Sequence, residues 1–437
     1  MSSFEVQGGK KLKGEIIPQG AKNEALQVIS AVLLTDEEIT IRNIPDIMDV
    51  NLQIELLQEL GVKIERKDRH TYTFKADNVN PDYLHSTDYA KKSGRLRGSV
   101  MLAGPMLARY KKAFIPRPGG DKIGRRRLDT HINGFEKLGA RFSFDNHDEF
   151  FHLTTDRLAG TYLMLDEPSV TGTANLLMAA VMAEGRTTIY NAASEPYIQQ
   201  LCKMLSNMGA LITGIGSNML FIDGVTRLHG TIHTILPDMI EVGSFIGLAA
   251  MTQSDLTIKN AGIQHLGMIP YKFQQLGIKL ECMGDDIHIP AQDTYEIQTY
   301  LDGSVLTIYD HPWPGFTPDL LSIILVVATQ AKGSLLVHQK MFESRLFFVD
   351  KIIEMGARIV LCDPHRAVVI GLERQHPLKG ITMSSPDIRA GVALLIAALS
   401  ADGKSIIQNI EQIDRGYQDI DLRLQQLGAQ ITRSNRN

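Results

Sequence analysis

Hydrophobic and polar positions along the chain recur in a unit that is repeated six times. Each unit contains an amphipathic pattern, as in Leu128, Ile132, Phe135 and Leu138, with apolar residues every three or four positions. Each pattern runs into a Leu-Gly or Met-Gly pair, and the glycines of these pairs are Gly61, Gly139, Gly209, Gly277, Gly356 and Gly428. A β-type stretch follows each glycine. The pattern therefore predicts six exposed helices, each ended by a glycine just past its C-cap.

A second helix, apolar on nearly every face, precedes each amphipathic one. These segments read KNEALQVISAVLL, RLRGSVMLAGPMLA, VTGTANLLMAAVM, MIEVGSFIGLAAM, PDLLSIILVVATQA and DIRAGVALLIAAL. Helices of this kind belong inside a domain, because no face is polar enough for water. Short strands such as TTIYNA, LTIKNA and SIIQNI follow them. Each repeat is therefore predicted as a buried helix, a strand, an exposed helix and a strand pair.

The number of repeats indicates an α/β fold with two domains. A chain of 437 residues is too long for one core. Repeats can also form open solenoids, but units of this length with one buried helix each favour closed packing. We predict that three repeats close around their buried helices in each domain. The first domain is expected at residues 22–235, and the second at 1–21 together with 236–437.

Composition narrows the class of function. The net charge is −4 and the isoelectric point is near 6.4, which argues against a nucleic-acid partner. The longest apolar run, residues 392–399, is too short to span a membrane. Three cysteines lie far apart without a paired spacing, and no signal peptide is evident. We expect a cytoplasmic protein that acts on small molecules, and the sequence does not identify protein partners.

Charged side chains occur where the buried helices begin. Lys22, Arg97 and Arg389 lie at helix starts, where the helix dipole disfavours a cation. If the helix starts of both domains face a common cleft, these cations form an anion site. Asp319 and Asp387 also lie at helix starts, and either can be a simple N-cap.

Further arginines indicate a ligand that carries several anionic groups. Arg345 and Arg415 follow strands, and Arg126 lies in the segment RPGGDKIGRRRLDTH. The chain contains neither a phosphate loop of the GxxxxGK[ST] type nor a GxGxxG motif after a strand. Metal-ligand spacing is also missing, and we interpret His131 as an ordinary surface histidine. These observations predict a reaction without metal or cofactor on a small anionic molecule.

Seven motifs spread over the whole chain resemble those of one enzyme family. They read QGAKNEAL, RGSVMLAGPMLAR, GGDKIGRR, FTPDL, MFESR, DIRAG and IDRGY. Their order resembles the UDP-N-acetylglucosamine 1-carboxyvinyltransferases, a family of enolpyruvyl transferases. The resemblance implies a two-domain inside-out α/β barrel, with three repeats per domain. It also implies transfer of the enolpyruvyl group of phosphoenolpyruvate to the 3-hydroxyl of UDP-N-acetylglucosamine, the first committed step of peptidoglycan precursor synthesis.

Two alternatives remain open at this point. A 5-enolpyruvylshikimate-3-phosphate synthase shares the architecture, but it typically has Ser-Lys-Ser where this chain has Ala21-Lys22-Asn23, and it lacks the GGDKIGRR segment. An inactive paralogue could serve as a binding or regulatory protein. The retained cations and Asp319 argue against that second alternative.

The resemblance also implies roles for individual residues. The implied catalytic residues are Lys22, Asp121, Asp319 and Arg415, with Asp319 as the base for the sugar hydroxyl. Implied contacts to phosphoenolpyruvate are Lys22, Asn23, Arg126, Arg345, Arg389 and Arg415. Implied contacts to the nucleotide sugar are Asn23, Arg97, Arg126, Arg127, Leu128, Asp129, Thr130, Glu167, Pro168, Ser169, Val170, Asp319 and Met341. Many relatives begin the stretch at Glu167 with a lysine, which weakens a charge contact at that position.

The segment 111–127 resembles the mobile lid of the family, whose tip is usually a cysteine. This chain has Asp121 at that position. The reaction requires an acid that protonates C3 of phosphoenolpyruvate while the sugar hydroxyl attacks C2, and a carboxylic acid can supply that proton. Fosfomycin, an epoxide phosphonate, alkylates the cysteine of family members. We therefore predict that this protein resists covalent inactivation by fosfomycin.

Overall fold

A computed structural model describes residues 2–116, 127–145, 150–343 and 345–435. The α-helices of this part of the chain are Lys22–Ala31 (α1), Met48–Glu59 (α2), Thr87–Ser93 (α3), Ala103–Tyr110 (α4), Asp129–Lys137 (α5), Val170–Ala180 (α6), Pro196–Asn207 (α7), Met239–Met251 (α8), Ile269–Gln275 (α9), Leu321–Ala328 (α10), Val349–Glu354 (α11), Ile388–Ser400 (α12), Glu411–Asp414 (α13) and Ile420–Gln426 (α14). Short 3₁₀ turns cover Val32–Leu34, Pro81–His85, Arg97–Leu102, Ile263–His265 and Pro318–Leu320.

The strands are short and are spread over the same ranges. They are Ser2–Gln7 (β1), Lys13–Ile16 (β2), Ile39–Arg42 (β3), Lys63–Arg66 (β4), Tyr72–Lys75 (β5), Lys112–Pro116 (β6), Arg141–Asp145 (β7), Phe150–Thr154 (β8), Tyr162–Met164 (β9), Arg186–Tyr190 (β10), Leu211–Thr213 (β11), Met219–Asp223 (β12), Thr231–Thr234 (β13), Asp255–Ile258 (β14), Glu281–Met283 (β15), Asp286–Ile289 (β16), Leu306–Tyr309 (β17), Ser334–His338 (β18), Arg358–Asp363 (β19), Arg366–Ile370 (β20), Thr382–Ser384 (β21), Lys404–Gln408 (β22) and Gln430–Asn435 (β23).

The first compact unit contains, of the described residues, 20–116 and 127–236. Its sheets have the strand orders β13-β3-β5-β4, β9-β10-β12-β11 and β6-β8-β7. In the two four-stranded sheets the first two strands are parallel and the others are antiparallel. Helices α1, α4 and α6 lie in the core of this unit, and nearly all of their residues are buried.

The second compact unit contains residues 2–19 together with 237–435, apart from residue 344. Its sheets have the orders β2-β14-β16-β15, β17-β18-β20-β19 and β21-β22-β1-β23. Strand β1 pairs with β22 and β23, and β2 pairs with β14, so the start of the chain completes two sheets of this unit. Every residue of the core helices α8 and α10 is buried. In the structure, the boundaries between the two units lie between residues 19 and 20 and between residues 236 and 237. The boundaries predicted from the sequence lie between residues 21 and 22 and between residues 235 and 236.

The six glycines predicted to end the exposed helices all adopt a positive φ, between 87° and 105°. Each follows a leucine or methionine C-cap, as Gly61 follows Leu60 at the end of α2. A side chain is strained in this backbone region, which explains why glycine recurs at the position. The prediction from the repeat is confirmed at all six sites.

The helix predicted over residues 95–108 is divided in the structure. A 3₁₀ turn covers Arg97–Leu102, and α4 begins at Ala103. Pro105 has no N–H group and therefore fits only in the first turn of an α-helix, which places the helix start shortly before it. Gly104 packs directly on α6, where its N–H donates to Asn175 Oδ1 at 2.8 Å.

Each unit holds one arginine against the carbonyl ends of its core helices. In the first unit, Arg109 Nη1 donates to the carbonyls of Leu33, Thr35 and Ala76 at 3.1, 2.9 and 2.8 Å. In the second unit, Arg374 donates to the carbonyls of Ala250 and Met251 at the end of α8. A guanidinium group here donates to carbonyl oxygens near a helix end and balances the negative end of the helix dipole.

We expect Arg109→Met to destabilise the first unit by about 2 kcal/mol, because charge-assisted hydrogen bonds to three carbonyls are lost. In a thermal unfolding experiment this corresponds to a decrease in Tm of roughly 4–8 °C. Arg186→Met is the matched control, since it removes an exposed pair with Asp223 in the same unit and should leave the Tm unchanged. Equal Tm values for the two variants would contradict the capping role of Arg109.

Candidate active site

The carboxylate of Asp319 lies between two arginines in the second unit. Arg345 Nη2 contacts Asp319 Oδ1 at 2.7 Å, and Arg389 Nε and Nη2 contact Oδ2 at 3.1 Å each. The three side chains are 7–18% exposed, so the pairing is largely shielded from water. Contacts of this geometry between partly buried groups are stronger than surface ion pairs. The structure thus brings together three of the predicted site residues.

Arg389 is also held from the side of the helix core. Its guanidinium lies 5.7 Å from the ring centre of Tyr417, and Nη1 donates to the Tyr417 hydroxyl at 3.4 Å. That hydroxyl contacts Ser244 Oγ of α8 at 2.9 Å. Burial raises the pKa of Tyr417 to about 12, so its hydroxyl stays protonated at neutral pH. Burial lowers the pKa of the Arg389 guanidinium, but the negative charge of Asp319 raises it by more. The pKa is therefore raised overall, and the guanidinium stays charged.

The two aspartates at helix starts have different roles. Asp387 is the N-cap of α12, and its Oδ1 accepts from the N–H groups of Arg389 and Ala390 at 2.8 and 2.9 Å. Asp319 does not cap its helix. Thr317 is the N-cap there, and the Asp319 carboxylate points to the arginines instead. The simple capping alternative therefore holds for Asp387 and is wrong for Asp319.

Two other predicted residues of this unit lie on loops. Met341 belongs to the segment that follows β18, four residues before Arg345, and its side chain is partly exposed. Its N–H group donates to Asp310 Oδ2 at 3.0 Å. Arg415 directly follows α13, and its Nη1 donates to Gln412 Oε1 at 3.0 Å.

Lys22 opens the first core helix of the other unit and pairs with a buried acid. Its Nζ lies 2.6 Å from Asp49 Oδ2, and both side chains are less than 10% exposed. Asp49 comes from the first turn of α2, on the face that also buries Val50 and Gln53. Asn23 is the second residue of α1 and is half-buried.

A second cluster of predicted residues forms where α5 and α6 begin. Arg97 Nη2 donates to the carbonyl of Arg127 at 3.2 Å, and Thr130 Oγ1 donates to Asp166 Oδ1 at 2.6 Å. Ser169 is the N-cap of α6, where its hydroxyl accepts from Gly172 N–H at 3.2 Å. Leu128 and Asp129 lie at the start of α5, and Glu167, Pro168 and Val170 flank the cap Ser169. The first unit therefore groups nine of the thirteen residues predicted to contact a nucleotide sugar, while Asp319 and Met341 belong to the second unit.

The surroundings of Glu167 raise the pKa of its carboxyl group. Burial is the largest cause of its raised pKa, and the neighbouring acids Asp166 and Asp129 add to it. Arg97 acts in the opposite direction but does not cancel the shift. The carboxyl group of Glu167 therefore binds a proton more readily than that of a free glutamate.

The interpretation of His131 as a surface residue is wrong. The side chain is 1% exposed and contacts Asn175 Nδ2 at 3.0 Å and Thr171 Oγ1 at 3.2 Å. Burial lowers its pKa to about 3, with Arg97 as a further cause, so the ring is neutral at physiological pH. The histidine lies on the inner face of α5, where it joins α5 to the core helix α6.

Asp121, Lys122 and Arg126 lie outside the described residues, with most of the predicted lid segment 111–127. In the part of the chain that the structure describes, no group of three histidine, cysteine or acidic side chains could hold a metal ion. No helix in the same ranges is long and apolar enough to cross a membrane.

Sequence reasoning missed Asp49, Asp310 and Tyr417. A signal existed for Asp49, because an acid on the buried face of an amphipathic helix needs a partner. Tyr417 lies before α14, which begins at Ile420 after Asp419, a residue with a positive φ of 42°. The tyrosine therefore leaves the helix pattern and reaches Arg389.

Comparison with known proteins identifies relatives along the whole chain. The family model described as EPSP synthase (3-phosphoshikimate 1-carboxyvinyltransferase) matches residues 6–424. The UDP-N-acetylglucosamine 1-carboxyvinyltransferase of Bacteroides thetaiotaomicron is 65% identical over 99% of this chain and 100% of its own. The Porphyromonas gingivalis protein of that name is 64% identical over the same shares, and the Bradyrhizobium diazoefficiens protein is 48% identical over 98% and 97%.

Solved structures share the fold at low identity. The enolpyruvyl transferase NikO from Streptomyces tendae has a TM-score of 0.87 at 21% identity, with 100% of this chain and 99% of that chain covered. EPSP synthase from Acinetobacter baumannii has a TM-score of 0.74 at 16% identity, with both chains fully covered. The fold predicted from the repeats and the resemblance is thereby confirmed. The chain belongs to the EPSP synthase family and, within it, to the UDP-N-acetylglucosamine 1-carboxyvinyltransferases that it matches from end to end.

Proposed function

We propose that this protein transfers the enolpyruvyl group of phosphoenolpyruvate to the 3-hydroxyl of UDP-N-acetylglucosamine, releases phosphate, and so begins peptidoglycan precursor synthesis. The observation that carries the proposal is the identity of 64–65% over 99% of the chain to proteins of that name. The cluster of Asp319 with Arg345 and Arg389 supports it, since it places a carboxylate beside two cations in a shielded site. A cytoplasmic location stays a prediction.

The acceptor is the point that most needs a direct test. The matching family model is named for an enzyme that acts on 3-phosphoshikimate, so this acceptor is the second candidate. Phosphate release from phosphoenolpyruvate should be measured with each acceptor alone and with both in competition. We expect turnover with UDP-N-acetylglucosamine and none with shikimate 3-phosphate. The reverse preference would overturn the proposal, and no turnover with either would favour an inactive paralogue.

The ion pairs of Asp319 suggest how the base becomes available. In the free protein its carboxylate is the counter-ion of Arg345 and Arg389. We infer that these two arginines bind the carboxylate of phosphoenolpyruvate, which then competes with Asp319 for the same donors. Once an arginine has turned to the substrate, Asp319 can accept a hydrogen bond from the sugar 3-hydroxyl. Substrate binding and activation of the base are therefore coupled in this proposal.

The reaction would proceed by addition and elimination. Asp319 takes the proton of the sugar 3-hydroxyl while the hydroxyl oxygen bonds to C2 of phosphoenolpyruvate. An acid adds a proton to C3 in the same step. The C2–O bond to phosphate then breaks and a C3 proton leaves, which restores the double bond in the enolpyruvyl ether. We assign the C3 acid to Asp121, which lies outside the described residues. The residue that removes the C3 proton in the second step is not assigned.

The cluster at the starts of α5 and α6 is proposed to bind the nucleotide sugar. Arg97 is one cation of this cluster that fits a diphosphate, and the N-terminus of α6 in the same cluster supplies backbone N–H groups. The remaining assigned contacts are Asn23, Arg126, Arg127, Leu128, Asp129, Thr130, Glu167, Pro168, Ser169, Val170, Asp319 and Met341.

Four cations are proposed to bind the phosphate and carboxylate of phosphoenolpyruvate together with Arg345. These are Lys22, Arg126, Arg389 and Arg415. Alanine at each position is expected to raise the KM for phosphoenolpyruvate about 10-fold or more, as one charge-assisted hydrogen bond is lost. Rising ionic strength should raise the same KM more mildly. Steady-state kinetics of the four variants checks this, and a variant with the wild-type KM would remove its residue from the site.

A further inference from the structure

Three of the six repeats leave their central strand in the same way. An asparagine follows the strand with a positive φ near 60°, at Asn43, Asn191 and Asn409. Its side-chain amide donates to the carbonyl of the residue that follows the parallel neighbour strand: Ile235, Leu165 and Ser385, at 2.9, 3.0 and 2.8 Å. The contact joins the ends of two parallel strands and fixes the turn that follows.

The fifth repeat replaces both partners of this contact. Gln339 occupies the asparagine position after β18, without the positive φ, and Asp310 occupies the carbonyl position after β17. The Gln339 amide donates to the carboxylate of Asp310 rather than to a carbonyl. Asp310 Oδ1 also accepts from the N–H of Lys340 at 2.5 Å, and Oδ2 accepts from the N–H of Met341 at 3.0 Å.

Burying this aspartate is costly and therefore needs a reason. Asp310 and Gln339 are both 0% exposed, and burial raises the pKa of Asp310 although the two backbone N–H groups act against that shift. The partners of the carboxylate are amide groups, and the ammonium group of Lys340 lies over the Tyr309 ring at 3.5 Å. Three hydrogen bonds to one buried carboxylate fix the backbone of the following segment more firmly than the single contact of the other repeats.

The segment fixed in this way leads to the site. Asp310 and Asp319 lie at the two ends of one loop, and Met341 and Arg345 lie near the two ends of the segment beside it. Hydrogen bonds join the loop to the segment at both ends. Met341 donates to Asp310 at one end, and Arg345 donates to Asp319 at the other. The contacts of Lys340 and Met341 to Asp310 fix the start of the segment that carries Arg345 to Asp319.

We propose that Asp310 is a positioning residue, which fixes the backbone at Lys340 and Met341 and thereby places Met341 for the nucleotide sugar and, further along the segment, Arg345 for phosphoenolpyruvate. The inference rests on the proposed function for its kinetic consequence. The structural consequence of the inference, which is the anchoring of the Lys340 and Met341 amides, is independent of the proposed function.

Asp310→Asn tests the inference with little change of shape. The new amide oxygen can accept from Lys340, but the NH₂ group replaces Oδ2, which accepts from both the Met341 N–H and the Gln339 amide. The hydrogen bond from Met341 is therefore lost, and the Gln339 side chain must turn its oxygen to the new NH₂ group. We expect the KM for phosphoenolpyruvate to rise about 10-fold or more, because small misplacements of a binding group have effects of this size. In an Arg345→Ala background the same substitution should add little, since Asp310 acts through Arg345. Full additivity, or wild-type kinetics for Asp310→Asn, would overturn the inference.

Amide hydrogen exchange gives a readout that needs no activity. In Asp310→Asn, the amide of Met341 should exchange faster than in the wild type, because its acceptor is lost, and unchanged exchange at Met341 would contradict the anchoring. If the wild type releases no phosphate while exchange does change, the proposed function fails and the anchoring stands. Asp310→Glu, which keeps the charge but moves the carboxylate, carries both tests if Asp310→Asn does not fold.

Asn43→Gly is the matched control. It removes the corresponding contact to Ile235 in the first repeat, and glycine accepts the φ of 59° found there. We expect a lower Tm, with an unchanged KM for phosphoenolpyruvate and unchanged exchange in segment 339–345. An equal rise of the KM in Asn43→Gly and Asp310→Asn would show that general loss of stability explains both, and the inference would be wrong.

Discussion

Asp319→Asn should lower kcat about 100-fold or more while the affinity for UDP-N-acetylglucosamine is retained. An amide cannot take the proton of the 3-hydroxyl, and general base catalysis contributes roughly 10²–10⁴-fold. The side chain keeps its size, and Thr317 rather than Asp319 caps the helix, so the fold should survive. Turnover should be measured at saturating substrates, and nucleotide-sugar binding by calorimetry.

The substitution also removes the counter-ion of two arginines, and this effect must be separated from the loss of a base. Asp421→Asn is suited to the purpose, because Asp421 is a buried partner of Arg433 in the same unit. Arg433 keeps its two contacts to Asp414, at 2.7 and 2.8 Å, in that variant. We expect kcat of Asp421→Asn to equal that of the wild type. Near-normal turnover of Asp319→Asn would leave Asp319 as an ion-pair partner only.

Asp121→Asn should be nearly inactive, with a loss of roughly 10²–10⁴-fold in kcat, because an amide cannot donate a proton to C3 at neutral pH. Asp121→Cys should keep substantial activity, since a thiol can donate the proton in place of the carboxylic acid. Both variants place a small polar side chain after Gly119 and Gly120, so they separate the chemistry from the path of the loop. Turnover of the three proteins under identical conditions checks the prediction.

Treatment with an epoxide phosphonate such as fosfomycin gives an independent test of the same residue. A thiolate is a far better nucleophile than a carboxylate, so the wild type should resist covalent inactivation. Asp121→Cys should lose activity with time, and the loss should require the epoxide. Rapid alkylation of the wild type, or normal turnover of Asp121→Asn, would place the acid elsewhere in the chain.

The sequence by itself determined the repeat and the local structure that depends on it. Each exposed helix ends at a glycine because the backbone there must adopt a positive φ, and this need is met within one turn of chain. The burial of α8 and α10 follows from their composition, since these helices have no polar face. The N-cap role of Asp387 is equally local, as it involves the N–H groups of Arg389 and Ala390, two and three residues further on.

Only the tertiary structure decided how the charged residues are partnered. Asp319 meets Arg345 and Arg389 from 26 and 70 residues away, and Lys22 meets Asp49 on another helix. Nothing in the local sequence shows whether an aspartate at a helix start caps the helix or pairs with a distant arginine. That choice depends on which side chains the packed sheets and core helices place within about 3 Å of it, where Coulomb attraction and desolvation are both large. The burial of His131 and the hydrogen bonds of Asp310 were decided in the same way.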